Sequence, residues 1–273
     1  MSLLQVLNFH GKTGDTMADK NYLHTAYANS ADGTDSFTTV YPNLNLIDGT
    51  KDFSGTWTNS GSWITDGTYK GLTVKKRTGQ WEGIYKTFTA PKDGTYTFSA
   101  YIKSSGNTAN VYRYGGVNGQ DPGTFIGNNF DWTRDNVTLN LKANDRVWIK
   151  YEISSTSADS ILWTAGHKWE LGSVATPWIP SASEVKTADW PKYVGTYVDT
   201  NPISSTDPSK YGWDEMKYRV YLDGIAVAGS KLLSTKVENL KPDTSYTIQV
   251  KQVSGEEESD FSDSVTFKTN VKK

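Results

Sequence analysis

The run GTYTFSAYIKS, Gly94 to Ser104, alternates apolar and polar residues without a break, and a period of two can be met only by a strand with two unlike faces. Tyr96, Phe98, Ala100 and Ile102 fall on one face, and Thr97, Ser99, Tyr101 and Lys103 on the other. NVTLNLK repeats the pattern, with Val137, Leu139 and Leu141 inward. DRVWIKYEIS repeats it again: Val147, Ile149, Tyr151 and Ile153 form one set, leaving Arg146, Trp148, Lys150 and Glu152 on the opposite side. PKDG (Pro91 to Gly94) and KAND (Lys142 to Asp145) supply the turn residues between such runs. About ten short strands are expected between Leu44 and Val185, which suits a β-sandwich or jelly roll.

The 273 residues are too many for one average domain. Residues 1–43 are irregular except for NYLHTAY, a strand. Residues 44–185 form the strand-rich module. Residues 186–216, rich in Pro, Ser, Thr and Asp, are expected as a linker with one strand, KYVGTYV. From Lys217 alternation resumes in YRVYLDG, TSYTIQVKQVS and DSVTFKT. YLHTAYANS and YVGTYVDTN share a Tyr-aliphatic-x-Thr opening on either side of the module, which suggests a module inserted into a flanking element.

Several kinds of chemistry are excluded or unsupported. With no cysteine there are no disulfides, thiolate metal sites or thiol nucleophiles. A net charge of −2 offers no basic field for nucleic acid or an anionic membrane, and no apolar run is long enough to span a bilayer. The N-terminal residues lack the pattern of a signal peptide. His10, His24 and His167 have no metal-ligand spacing and are expected at the surface or in turns. HGKTGD lacks the first glycine of a phosphate loop. Carboxylates are plentiful, but nothing marks the facing pair that a glycosidase needs.

The surplus is aromatic: 10 Trp and 16 Tyr, with eight of the tryptophans between residues 57 and 178. Trp163, Trp169 and Trp178 are expected in the core. Trp148 is expected outward, because its phase partners are Arg146, Lys150 and Glu152. A flat ring among hydrogen-bonding groups suits a sugar, whose C–H face stacks while its hydroxyls find polar partners. Tyr101, and Tyr112 beside Arg113, carry the same signature. Trp57, Trp63, Trp81 and Trp132 lie in Gly-, Asn- or Thr-rich loops, where exposed rings would rim a groove.

GIYKTFTAPKDGTYTFSAYIKSSG followed by KWELGSVATPWIPS resembles the jelly-roll carbohydrate-binding modules of tail and baseplate proteins from phages and prophages of Gram-positive bacteria. LKPDTSY, with Leu240, Pro242, Thr244 and Tyr246, and the following ESDFSDSVTFKT resemble the tyrosine corner and last strand of a fibronectin type III domain. Residues 217–273 are too short for its seven strands, so that domain is partial or completed by other segments. The resemblance implies an all-β chain, a jelly-roll sandwich plus a smaller fibronectin-like domain.

It also implies a non-enzymatic virion tail protein that adheres to host surface polysaccharide and associates with other tail or baseplate proteins, with homo-oligomerisation left open. Trp148, Tyr101, Tyr112, Trp81 and Trp132 would stack on sugar, while Arg113, Arg146 and Lys150 meet hydroxyls or anionic substituents. A structural calcium, if present, would draw on Asp48, Asp52 and Glu170, which read equally well as ordinary turn acids. A structural spacer and a jelly-roll polysaccharide-degrading enzyme are the competing readings.

Overall fold

The structure is a computed structural model, and it describes residues 21–117, 123–154 and 159–270. It is all-β. The strands are β1 (Tyr22–Ala28), β2 (Ile64–Tyr69), β3 (Leu72–Arg77), β4 (Phe88–Thr89), β5 (Gly94–Ser105) and β6 (Val111–Val117). Then come β7 (Thr124–Gly127), β8 (Thr133–Leu141), β9 (Arg146–Ile153), β10 (Ile161–Leu171), β11 (Tyr193–Asp199) and β12 (Gly212–Glu215). The last five are β13 (Tyr218–Leu222), β14 (Ile225–Ser230), β15 (Ser245–Ser254), β16 (Glu257–Glu258) and β17 (Val265–Lys268). HGKTGD and His10 lie outside the described residues, as does the rest of the first 20 positions.

The chain divides into two compact units, residues 43–185 and residues 1–42 with 186–273. Residues 43–185 form a jelly-roll β-sandwich of two antiparallel sheets, ordered β2-β3-β10-β5-β8 and β4-β9-β6-β7. The alternation explains the core between them. Tyr96, Phe98, Ala100 and Ile102 of β5 meet Val147, Ile149, Tyr151 and Ile153 of β9, all buried, with Val111, Leu141, Leu162 and Trp169. Trp169 stacks on Phe88 at 4.8 Å and is tilted against Phe98 at 5.3 Å.

Five positions depart from the sequence reading: Trp163, Trp57, Trp63, His167 and His24. Trp163 faces away from the core, because β10 carries a bulge between Ala165 and Lys168 that reverses its phase. Leu162 therefore points inward before the bulge and Trp169 after it. Gly166 sits in the bulge at φ +58°, where a Cβ would press within 2.5 Å of Leu72 Cδ1. Trp57 and Trp63, expected as exposed loop rings, are both core residues, their indole N–H groups donating to the Ser54 and Glu82 carbonyls. Trp178 packs in a smaller cluster with Leu72, Val74, Ala165, Tyr101 and Trp163. His167 is buried, its imidazole among Phe53, Trp57, Phe98 and Tyr151 and hydrogen-bonded to Thr164. His24 is buried too, stacked on Tyr197.

In the second unit, the two echoing segments pair with each other. β1 runs antiparallel to β11 from Tyr22↔Asp199 to Ala28↔Tyr193, and β12 completes a three-stranded sheet. Residues 186–216, expected as a linker with one strand, thus carry two. The C-terminal strands make one sheet, β14-β13-β15-β16, with β17 also on β15. The Tyr246 hydroxyl accepts the Lys241 N–H, closing the corner expected in LKPDTSY. Segments from outside residues 217–273 pack onto this sheet: buried Arg219, paired with Glu258 within it, donates to the Tyr41 hydroxyl and lies over the Trp190 ring.

Candidate functional site

Of the two outer faces of the sandwich, the one on β4-β9-β6-β7 gathers the most accessible rings. The β6–β9 register sets Gly116 opposite Trp148, Tyr114 opposite Lys150 and Tyr112 opposite Glu152. The β6–β7 register adds Phe125 beside Tyr112. Because paired residues share a face, Trp148, Lys150, Glu152, Tyr112, Tyr114 and Phe125 all stand on the side away from the core. Tyr112 contacts Tyr114 at 6.0 Å and Phe125 at 5.3 Å between centroids. Trp148 leans on Tyr85 at 5.3 Å.

A loop completes the face. Trp81 meets Tyr114 at 6.4 Å. The Trp81 backbone N–H donates to the Ile153 carbonyl, and the Gly83 N–H donates to Glu152. A Cβ on Gly83 would lie 2.6 Å from the Tyr151 carbonyl oxygen, so only a glycine lets the loop sit this close to β9. Trp81 and Glu82 both adopt φ +54°, a left-handed conformation that costs a residue with a Cβ on the order of 1 kcal/mol. Arg77 holds the strained pair through hydrogen bonds to the Gln80 and Trp81 carbonyls and an ion pair with Glu82. Backbone strain stabilised from outside is characteristic of positions selected for what they present. What this loop presents is the Trp81 ring, 47% exposed, and Phe125 across the face is 54% exposed.

The polar centre of the face is Lys150. Its ammonium sits 5.3 Å from the Trp148 ring centroid and 5.9 Å from that of Tyr114, and donates to Glu152 at 2.6 Å. Burial together with the Glu152 charge raises the Tyr114 pKa, so its phenol stays neutral and keeps a hydroxyl to offer.

The other expected site residues lie elsewhere. Arg113 is on the opposite side of β6 from Tyr112, where its guanidinium binds both carboxylate oxygens of Asp135 at 2.8 and 2.6 Å, and Tyr151 donates to the same carboxylate. Tyr101 and Trp132 stand on the outer face of the five-stranded sheet. There Trp132 stacks on Tyr69 at 4.3 Å, Tyr101 meets Tyr69 edge-on, and the Arg134 guanidinium covers Tyr101. Trp163 on that face donates to Asp66 and lies under Lys76 and Lys103. Arg146 is exposed at the start of β9, in phase with Trp148. Sequence reasoning missed Tyr114, Tyr85 and Phe125. Tyr114 was available to it, being two residues after Tyr112 and hence on the same face.

The three acids considered for calcium do not converge. Glu170 is fully buried, paired with Lys168 and hydrogen-bonded to Thr176 and Asn43. Asp48 accepts from Ser183, and Asp52 from the Ser54 N–H. Among the described residues no group of three or more His, Cys, Asp or Glu side chains could hold a metal ion. Nor is any helix among them long and apolar enough to cross a membrane.

The family described as the minor structural protein 5-like, C-terminal domain (BppU-like) matches residues 191–249. No curated protein matches by sequence. Among solved structures, the tripod from the baseplate of bacteriophage Tuc2009 is similar with a TM-score of 0.70 and 41% identity, over 94% of this chain and 100% of that one. A CBM22-1 xylan-binding domain from Paenibacillus barcinonensis aligns at 14% identity over 49% of this chain and 99% of its own, with a TM-score of 0.34. A carbohydrate-binding module of a Cellvibrio mixtus lichenase, solved with cellotriose, aligns at 13% over 49% and 99%, with a TM-score of 0.32. Identity of 41% sustained along the whole of the Tuc2009 chain goes well beyond a shared architecture, and this chain belongs to that family of phage baseplate proteins.

Proposed function

We propose that this baseplate protein binds saccharide at the host surface without catalysis, through the outer face of β4-β9-β6-β7. One observation carries the reading: Trp81, Tyr85, Tyr112, Tyr114, Phe125 and Trp148 line one sheet face, two of them about half exposed, around a single lysine. Aromatic faces stack on the C–H faces of pyranose rings, and Lys150 with the tyrosine hydroxyls supplies hydrogen bonds. Glu152 is 3% exposed and engaged by Lys150 and Gly83, so it does not serve as a cleft acid. Each contact is weak, and copies repeated on one virion multiply the effect.

The same family supports a tail location and association with other baseplate chains, with homo-oligomer formation part of that assembly. A purely structural reading draws on the same kinship, and would have the rings covered by a neighbouring chain.

The test is binding of the full chain to a glycan array and to isolated Gram-positive cell-wall polysaccharide. Wild type binds, while Trp148→Ala and Trp81→Ala each lose roughly tenfold or more, with melting temperatures close to wild type. Equal binding by all three would move the site off this face, and no binding by wild type would favour the structural reading.

A further inference from the structure

We infer that the ring-lined face of β4-β9-β6-β7 takes an uncharged saccharide rather than a phosphate- or uronate-bearing one, and that Lys150 acts there as a hydrogen-bond donor whose charge is already neutralised. This rests on the saccharide-binding reading above and specifies its ligand.

The inference follows from how each cation near the rings is used. The sequence reading places three cations among them, Arg113, Arg146 and Lys150, and the structure adds Arg77 beside Trp81. Arg113 points the other way and is bound to both oxygens of Asp135, with the Asn136 carbonyl taking a third contact. Lys150 is on the face, but its ammonium is 2.6 Å from Glu152 and lies over two rings, with 16% of the side chain exposed. Glu152 is in turn fixed by the Gly83 N–H. A phosphate approaching Lys150 would meet a carboxylate at hydrogen-bond distance from the same ammonium, so the attraction is largely cancelled. An anion site needs a cation whose charge is not already paired, or backbone N–H groups that converge, as at phosphate-binding loops. The Gly83 N–H points at Glu152 instead.

Arg77, behind the Trp81 loop, is likewise spent on Glu82 and on the Gln80 and Trp81 carbonyls, which leaves Arg146. It is exposed and stands two residues from Trp148 along β9, beyond the stretch from Trp148 to Trp81 that carries the rings. The ring-bearing stretch itself, Trp81, Tyr114, Lys150, Glu152 and Trp148, carries no net charge. Its polar equipment is one ammonium with hydrogens to spare and the tyrosine hydroxyls, which matches sugar hydroxyls.

Full-length protein would be titrated with neutral hexose oligosaccharides (gluco- and galacto-pentaoses) and with polyglycerol phosphate, each at 50 and 500 mM NaCl. Isolated cell-wall polysaccharide would be tested before and after hydrofluoric acid removal of phosphodiesters. The inference expects binding to at least one neutral oligosaccharide with less than a twofold change in Kd across that salt range, and retention of wall binding after acid treatment. Arg146→Ala should leave Kd within twofold. Lys150→Met should weaken binding at least fivefold at both salt concentrations, because a hydrogen-bond donor rather than a field is lost. Binding confined to polyglycerol phosphate or untreated wall, falling tenfold or more with salt and abolished by Arg146→Ala, overturns the charge assignment while leaving saccharide recognition intact. Binding to none of these ligands overturns both.

Discussion

The sandwich contains the same three-residue pattern twice, Lys150-Tyr-Glu152 on β9 and Lys168-Trp-Glu170 on β10, and puts it to two different uses. In both, the central aromatic enters the core while lysine and glutamate pair on the outer side, at 2.6 Å and 3.2 Å. On β9 the pair lies among partly open rings. On β10 it is sealed at 0% exposure beneath the chain that follows the strand. That chain folds back over its own sheet: Lys168 donates to the Thr176 hydroxyl and the Pro177 carbonyl, Thr176 bonds Glu170, and Arg134 reaches the Thr176 carbonyl. Alternation determines which face a side chain takes, and what lies over that face determines whether it meets solvent or protein.

The largest expected effect tests the sealed pair. Lys168→Met should destabilise the protein by about 3–5 kcal/mol, because Glu170 is left as an unpaired buried charge, and Glu170→Leu should do the same to Lys168. The double variant should recover most of the loss, since an apolar pair of similar volume needs no desolvation. Denaturant titration measures all three. If the double variant is no better than the singles, then the hydrogen bonds to Thr176 and Pro177, and not the uncompensated charge, hold the segment down. Lys150→Met on the other face should cost less, about 1–2 kcal/mol, since Glu152 keeps the Gly83 N–H. Equal losses at the two positions would erase the distinction between the faces.

Protonation sharpens the same contrast. Burial lowers the Lys168 pKa from 10.5 to about 8, opposed by the Glu170 charge. Between pH 8 and 10.5 the unfolded chain holds a proton that the folded chain has released, so this residue's contribution to stability rises with pH in that window. Tyr151 opposes it above pH 10, where burial keeps the folded phenol protonated while the unfolded one ionises. The net expectation is stability that rises from pH 8 to 10 in wild type, with the rise absent in Lys168→Met.

How far the sequence led can be judged from the same strands. Period-two alternation in β5 and β9 identified both inward sets, because no residue interrupts them. It failed in β10, where the bulge at Gly166 exchanges the faces, so Trp163 and Trp169 end on opposite sides despite equal parity. It failed again for Trp57 and Trp63, since a loop ring has no phase to read and these fold into the core. Arg113 was misplaced for a simpler reason: a neighbour of Tyr112 along a strand must face the other way. Trp148, Lys150, Tyr112 and Trp81 were legible as residues, but the strained turn that brings Trp81 to Tyr114 is a backbone property that sequence does not announce.

His167 offers a milder perturbation of the core between the faces. Burial holds its imidazole at about 3, against an ordinary 6.5. As pH falls below 6.5 the unfolded chain takes up a proton that the folded one refuses, so stability should decline from pH 6.5 downward. Between pH 6.5 and 4.5 most carboxylates remain ionised, which isolates the histidine. The melting temperature of wild type should fall across that window and that of His167→Gln should stay nearly flat; parallel curves would mean that the ring is not held neutral.

The smallest expected effect lies in the other unit. Tyr246→Phe removes the hydroxyl that accepts the Lys241 N–H while keeping the ring against Phe267, so the loss should be about 1 kcal/mol. Because that contact lies within residues 217–270, saccharide binding should not change. A change in binding with Tyr246→Phe would show that recognition depends on both units, and would break the assignment of the site to one face of the sandwich.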